Sequence, residues 1–157
     1  TWHFIGHLQT NKARTAATYF DWIHSVDTEK LLKKLNQVSG EVGKTPQVLI
    51  QVDLAGEATK HGATVDKLRS LFETAMHCSA LKVRGLMLVP PWNSDPETTR
   101  PYFQKLRDIR DTLKLEGFNE NALGELSMGM SHDFEVAIEE GSTMIRVGTA
   151  LFGKRGK

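Results

Sequence analysis

Two short segments concentrate the groups able to hold an anion. Ser127-Met128-Gly129-Met130-Ser131 combines hydroxyls and small residues with a glycine through which backbone can approach a ligand. It runs directly into a helix start, where free N–H groups and the positive dipole end suit a phosphate. The plainer reading is an ordinary capped loop, with Ser131 as N-cap of a helix from His132. Arg146-Val147-Gly148-Thr149 is the second segment. Arg146 interrupts an apolar run of Met144, Ile145 and Val147, and a buried guanidinium is costly unless paired. Either it points at a ligand, with Gly148 and Thr149 adding anion donors, or a carboxylate at the strand end satisfies it.

His3 and His7 flank the end of the first apolar run and His24 lies inside the second. An imidazole there can stack on a ring or shuttle a proton, although core and rim histidines satisfied by neighbours are commoner. The six histidines and the lone Cys78 show neither His-Glu-x-x-His nor Cys-x-x-Cys spacing, so no metal is expected. Gly40, Gly43, Gly56 and Gly62 form neither a Walker A loop nor a Gly-x-Gly-x-x-Gly turn, which argues against nucleoside triphosphates and dinucleotides. The charged stretch from Arg100 to Glu116 reads as the solvated face of a helix.

The elements that must position these groups alternate regularly. Strands are expected at Trp2–Ile5, Trp22–Val26, Val48–Val52, Val83–Val89, Leu126–Met128 and Thr143–Val147. Pro90-Pro91 stops the fourth, since proline lacks the donor a ladder needs. Helices fall between them: Asn11–Phe20; a segment capped by Asp27 or Thr28 and ending before Gly40; and one capped by Thr64 with Val65, Leu68, Phe72, Ala75 and Met76 on one face. Cys78 reads as a core position on that third helix. A fourth helix opens on Pro101 and runs to Gly117, and a fifth carries Phe134, Ala137 and Ile138 to Gly141. Apolar strands joined by helices imply parallel pairing with both faces covered. Six βα units fit either an open doubly wound sheet or a (β/α) barrel lacking two units, and in both the ligand sits at the carboxyl ends of the strands.

The chain has 157 residues, 25% charged, and a net charge of +1. It is sized for one domain, without linker, repeat or low-complexity tract. Near-neutrality argues against nucleic acid as partner. One cysteine fits a reducing compartment, and no apolar run is long enough to span a bilayer, so a cytoplasmic protein is expected. The chain opens on Thr1 with strand-like residues, and an upstream segment is expected.

At the strand ends the sequence resembles the pyridoxal 5′-phosphate homeostasis proteins, the YggS/PROSC-like family related to the N-terminal barrel of alanine racemase. The resemblance lies in Trp2-His3-Phe4-Ile5-Gly6-His7-Leu8-Gln9-Thr10-Asn11-Lys12, in His24-Ser25-Val26-Asp27, and in Gln51-Val52-Asp53 with Glu57, Lys60 and Gly62. It continues through Gly85-Leu86-Met87 with Pro90, Leu126–Ser131 with Asp133, and Gly141–Gly153. It implies a (β/α)8 TIM barrel of the alanine racemase N-terminal type, here with six βα units matching family strands 3–8, as one partial PLP-binding domain over residues 1–157. Pyridoxal 5′-phosphate (PLP) would be held at its phosphate by Ser127, Met128, Gly129 and Ser131 together with Gly148 and Thr149. Arg146 would face the pyridine nitrogen, disfavouring its protonation, while Met87 and His3 line the pocket. The family's Schiff-base lysine lies on a strand without counterpart here, and Lys12, Lys82, Lys154 and Lys157 do not replace it, so no catalytic residue is assigned.

The function implied is carriage and buffering of PLP without turnover, with apo PLP-dependent enzymes as recipients. An amino-acid racemase is the enzyme-class alternative. It calls for bases on both substrate faces, in alanine racemase partly a tyrosine from another domain, whereas Tyr19 and Tyr102 fall in helical segments here. A fragment that binds nothing is the third reading. A six-unit barrel would leave two unpaired edges, so self-association of this chain is expected, the full-length protein being a monomer.

Overall fold

Gln47–Val52 is buried along nearly its whole length, the mark of a central parallel strand covered on both faces. The computed structural model describes residues 1–56 and 61–153. In chain order these form β1 (His3–Phe4), a 3-10 turn at Thr10–Lys12, α1 (Ala13–Tyr19), β2 (Trp22–Val26), α2 (Glu29–Val42), β3 (Gln47–Val52) and α3 (Val65–Met76). Then come β4 (Lys82–Leu88), α4 (Arg100–Leu115), β5 (Glu125–Met130), α5 (Phe134–Glu139), β6 (Met144–Arg146) and α6 (Thr149–Phe152). Every strand pairs in parallel with the next one in sequence, in the order β1-β2-β3-β4-β5-β6.

One sheet face packs on the helices. Ile23, Val26, Val48, Ile50, Leu86, Leu88, Leu126 and Met128 join Leu31, Leu35, Leu68, Phe72, Phe103 and Leu106 in a single core. The other face is concave. His24 on β2 lies 2.9 Å from Ser127 on β5, whereas three strand spacings in a flat sheet would separate them by about 14 Å. The curvature is that of a partial barrel, with Leu49 and Met87 buried outside the helix-side core.

Local signals account for most boundaries. The Thr28 hydroxyl accepts from Leu31 N at 3.3 Å and starts α2. That helix runs through Gly40 and stops at Gly43, where φ is +66°; the left-handed conformation, which Gly43 adopts and Gly40 does not, is what terminates it. In α3, Leu68, Leu71 and Phe72 face the core, while Val65 and Met76 are 45% and 75% exposed, because the buried stripe is narrower than the run of apolar residues. Ile138 on α5 is likewise exposed. Cys78 follows the α3 C-cap and packs partly buried against the core.

The charged face of α4 is more than solvated. Arg100 pairs with Glu97, Glu139 and Glu140, and Arg107 with Glu140, whose side chain is only 8% exposed. This cluster ties α4 to α5. No helix among the described residues is long and apolar enough to cross a membrane.

Candidate functional site

At the carboxyl ends of the strands lies an open cleft of about 1020 Å3, walled by β1 and β2 on one side and by the segments around β5 and β6 on the other. Five of the sequence-expected residues or their neighbours meet on its surface: His3, Ser131, Arg146, Gly148 and Thr149, with His24, Met130 and His132 beside them. Met87, Ser127, Met128 and Gly129 do not line it. Ser127 and Met128 are wholly buried and Met87 is 1% exposed; Met87 pairs in register with Ser127 beneath the cleft.

Arg146 is fixed from below. Its two terminal nitrogens donate to Ser127 O and Ser127 Oγ, each at 2.8 Å, and to Leu88 O at 2.8 Å. These acceptors are neutral. Among the described residues no carboxylate comes within ion-pair distance of Arg146, so of the two sequence readings the satisfying strand-end carboxylate is absent. Burial pulls the guanidinium down to about 10, opposed only by the more distant Asp133. A half-desolvated cation with neutral ligands favours any anion or electron-rich atom arriving in the cleft.

From Arg146 a polar chain runs across the concave face. Ser127 Oγ also meets His24 Nδ1 at 2.9 Å, and His24 Nε2 meets His3 Nδ1 at 3.0 Å. His3 stacks on Trp22, with ring centroids 5.6 Å apart and planes within 3°. Burial, then the charges of His3 and Arg146, push His24 down to about 4. It is therefore neutral at ordinary pH and relays hydrogen bonds without adding positive charge.

Ser131 acts differently from the sequence reading. α5 begins at Phe134 with Asp133 as N-cap, and Asp133 Oδ1 accepts from Met130 N at 2.7 Å. The carboxylate takes the loop-closing contact, which leaves the Ser131 hydroxyl turned toward the cleft. There it accepts from Gly148 N at 3.0 Å and Ala150 N at 3.2 Å. Two backbone donors and a hydroxyl thus share one point, the arrangement a phosphate oxygen requires. Gly129 packs against a helix. Its φ is +92°, and a Cβ there would lie 2.5 Å from Ala137 Cβ. The glycine permits close approach of α5, on the helix side of the sheet.

The relay through His24 and Ser127 escaped the sequence reading because its members are 103 positions apart. Glu57, Lys60, Lys154 and Lys157 lie outside the described residues. Among the described residues no lysine lines the cleft, and Tyr19 and Tyr102 stand away from it.

The family described as alanine racemase, N-terminal domain, matches residues 1–156. The chain is 49% identical over 154 residues to the pyridoxal phosphate homeostasis protein of Aquifex aeolicus (98% of this chain, 67% of the relative), and 46% identical to that of Vibrio alginolyticus (98% and 65%). It thus spans about two thirds of the length of these relatives. Among solved structures, PipY of Synechococcus elongatus PCC7942 with PLP bound superposes with a TM-score of 0.90 at 40% identity, covering 98% of this chain and 70% of that one. An alanine racemase from Clostridium difficile 630 aligns over the whole chain and 41% of its own with a TM-score of 0.78 at 14% identity, a likeness of fold alone.

Proposed function

Since the chain belongs to the alanine racemase N-terminal domain family, and within it to the pyridoxal phosphate homeostasis proteins, we propose that it binds PLP in the cleft and serves to carry and buffer the cofactor. The observation that carries this reading is Arg146, a cation lining the cleft yet held by neutral acceptors alone. The donors fit the group. Ser131 Oγ, Gly148 N and Thr149 would hold the phosphate. Arg146 would face the pyridine nitrogen and disfavour its protonation, since two adjacent positive charges repel. His3 closes one side of the ring pocket. Ser127, Met128, Gly129 and Met87 contribute from beneath, Ser127 by orienting Arg146 and the others by packing. Bound PLP supplies an aldehyde reversible toward amines and a ring able to withdraw electrons.

The same reading extends to the domain, the recipients and the setting. Residues 1–157 act as one PLP-binding unit in the cytoplasm, delivering cofactor to apo PLP-dependent enzymes, and this chain self-associates through its β1 and β6 edges while the full-length protein is a monomer. Carriage is favoured over racemisation because no tyrosine or lysine among the described residues faces the cleft to move a proton from a substrate carbon.

Titration of PLP into the chain, followed by absorbance and equilibrium dialysis, tests the proposal. Saturable one-to-one binding is expected, weakened roughly tenfold to a hundredfold in Arg146→Gln by loss of a charged hydrogen bond, and weakened also in Ser131→Ala. Equal binding by both variants, or no saturation, would sink it. Interconversion of L- and D-alanine at enzymic rates would return the racemase reading.

A further inference from the structure

Outside the cleft, three donors of a different kind converge. His7, Asp27 and His61 place one potential ligand atom each, all within 4.8 Å of one another. We propose that these three side chains bind a divalent first-row transition-metal ion of the Zn2+ type.

The donor set itself suits such an ion. Two imidazoles and a carboxylate, with room left for water, suit Zn2+ and its neighbours in the series. Tetrahedral ligation at about 2.0–2.2 Å places donors roughly 3.3 Å apart, so the remaining contraction is a matter of side-chain rotation. The His7 and His61 rings now lie stacked, centroids 3.5 Å apart and planes within 11°. Binding would splay them so that one nitrogen of each meets the ion in its ring plane.

The fold builds these positions. His7 follows β1, Asp27 follows β2 directly, and His61 precedes Ala63, which bridges to Val52 at the end of β3. Three adjacent strands therefore present one ligand apiece at the same rim. The His61 backbone is pinned: Gln51 Nε2 donates to its carbonyl at 2.6 Å, Ala63 N donates to Gln51 O at 2.8 Å and Asp53 N to Ala63 O at 2.9 Å. Gly62 between them has φ +150° and no space for a Cβ, which would lie 2.6 Å from Asp53 N.

Asp27 differs from the other aspartates at the strand ends. Asp53 caps Ala55 N and Gly56 N, Asp133 caps Met130 N, and Asp21 holds Trp2 N. Among the described residues the Asp27 carboxylate has no hydrogen bond or ion pair, so its lone pairs are available to a cation. The site has no contiguous motif, because its ligands stand 20 and 34 positions apart, and the expectation of no metal rested on motif spacing alone.

The test uses the tag-free chain, stripped with EDTA and titrated with ZnCl2 in a non-coordinating buffer by calorimetry. One equivalent should bind, with affinity reduced tenfold or more in each of His7→Ala, Asp27→Asn and His61→Ala, and unchanged in His77→Ala. Circular dichroism confirms that each variant is folded. Copper(II) loaded on the unmutated chain should show hyperfine coupling to two nitrogens in electron paramagnetic resonance. Absence of stoichiometric uptake, uptake indifferent to all three substitutions, or a copper spectrum without nitrogen coupling would overturn the assignment.

Discussion

Acid should weaken this protein through one identifiable group. His24 is 2% exposed and sits between His3 and Ser127. Burial, reinforced by the charges of His3 and Arg146, moves it from the ordinary 6.5 to about 4. Between those two values the unfolded chain binds a proton that the folded chain refuses, so stability rises with pH across the window. The contribution is complete above pH 6.5 and is lost as pH falls toward 4. Its full size is on the order of 3 kcal/mol, a large share of a domain's net stability. Urea unfolding followed by tryptophan fluorescence at several pH values between 7.5 and 4 measures it, provided that His24→Gln is unfolded in parallel. Groups remote from His24 titrate alike in both proteins and cancel in the difference, while His3, its hydrogen-bonded neighbour, belongs to the effect being measured. The substitution should cost about 1–2 kcal/mol at neutral pH for impaired hydrogen bonds, and this deficit should shrink or reverse on acidification. Two parallel profiles, or an NMR titration of the His24 ring centred near 6.5, would refute the reasoning.

Arg146→Met should lower the thermal midpoint, because Ser127 O, Ser127 Oγ and Leu88 O lose their donor, and PLP affinity should fall as well; calorimetry and dialysis on one sample separate the two effects. Gly129→Ala combines a left-handed backbone with a 2.5 Å contact to Ala137 Cβ and should cost about 2–4 kcal/mol in urea unfolding. Glu140→Gln should lower the melting temperature more than Glu29→Gln does, since Glu140 is buried and binds both Arg100 and Arg107. The carboxyl of Glu140 is held below its ordinary range chiefly by Arg100. Its share of stability is therefore present above the unfolded value and vanishes as acid protonates it, so acid melts of parent and variant should converge.

Sequence pattern alone located every strand, and β2 to the residue, because its apolar run is bounded by Asp21 and Asp27. The terminal strands β1 and β6 came out shorter than their apolar runs, since an edge strand pairs on one side only. Val65, Met76 and Ile138 are exposed although their spacing is helical, because apolar periodicity marks a wider stripe than the one the core covers. Gly40 and Gly43 are both possible helix ends, and the left-handed backbone angle at Gly43 decides between them; α5 starts at Phe134 rather than His132, with the Asp133 carboxylate turned back to accept from Met130 N and not capping the helix. Arg146, the odd residue in an apolar strand, was legible as a site residue because isolation of a charge is itself a local signal. The His3–His24–Ser127–Arg146 chain and the His7–Asp27–His61 group were not, because curvature of the sheet brings them together and curvature leaves no mark on spacing.

The sequential strand order has a consequence for how the protein comes into being. Each strand docks on the one synthesised just before it, so the sheet can assemble progressively as the chain leaves the ribosome, without waiting for distant partners. The cleft does not share that schedule. Its walls come from the first two strands and the last two, with His24 awaiting Ser127 across 103 residues. Much of the packed core can therefore exist before the cleft does, and the cleft is completed only when Arg146 and Gly148 emerge.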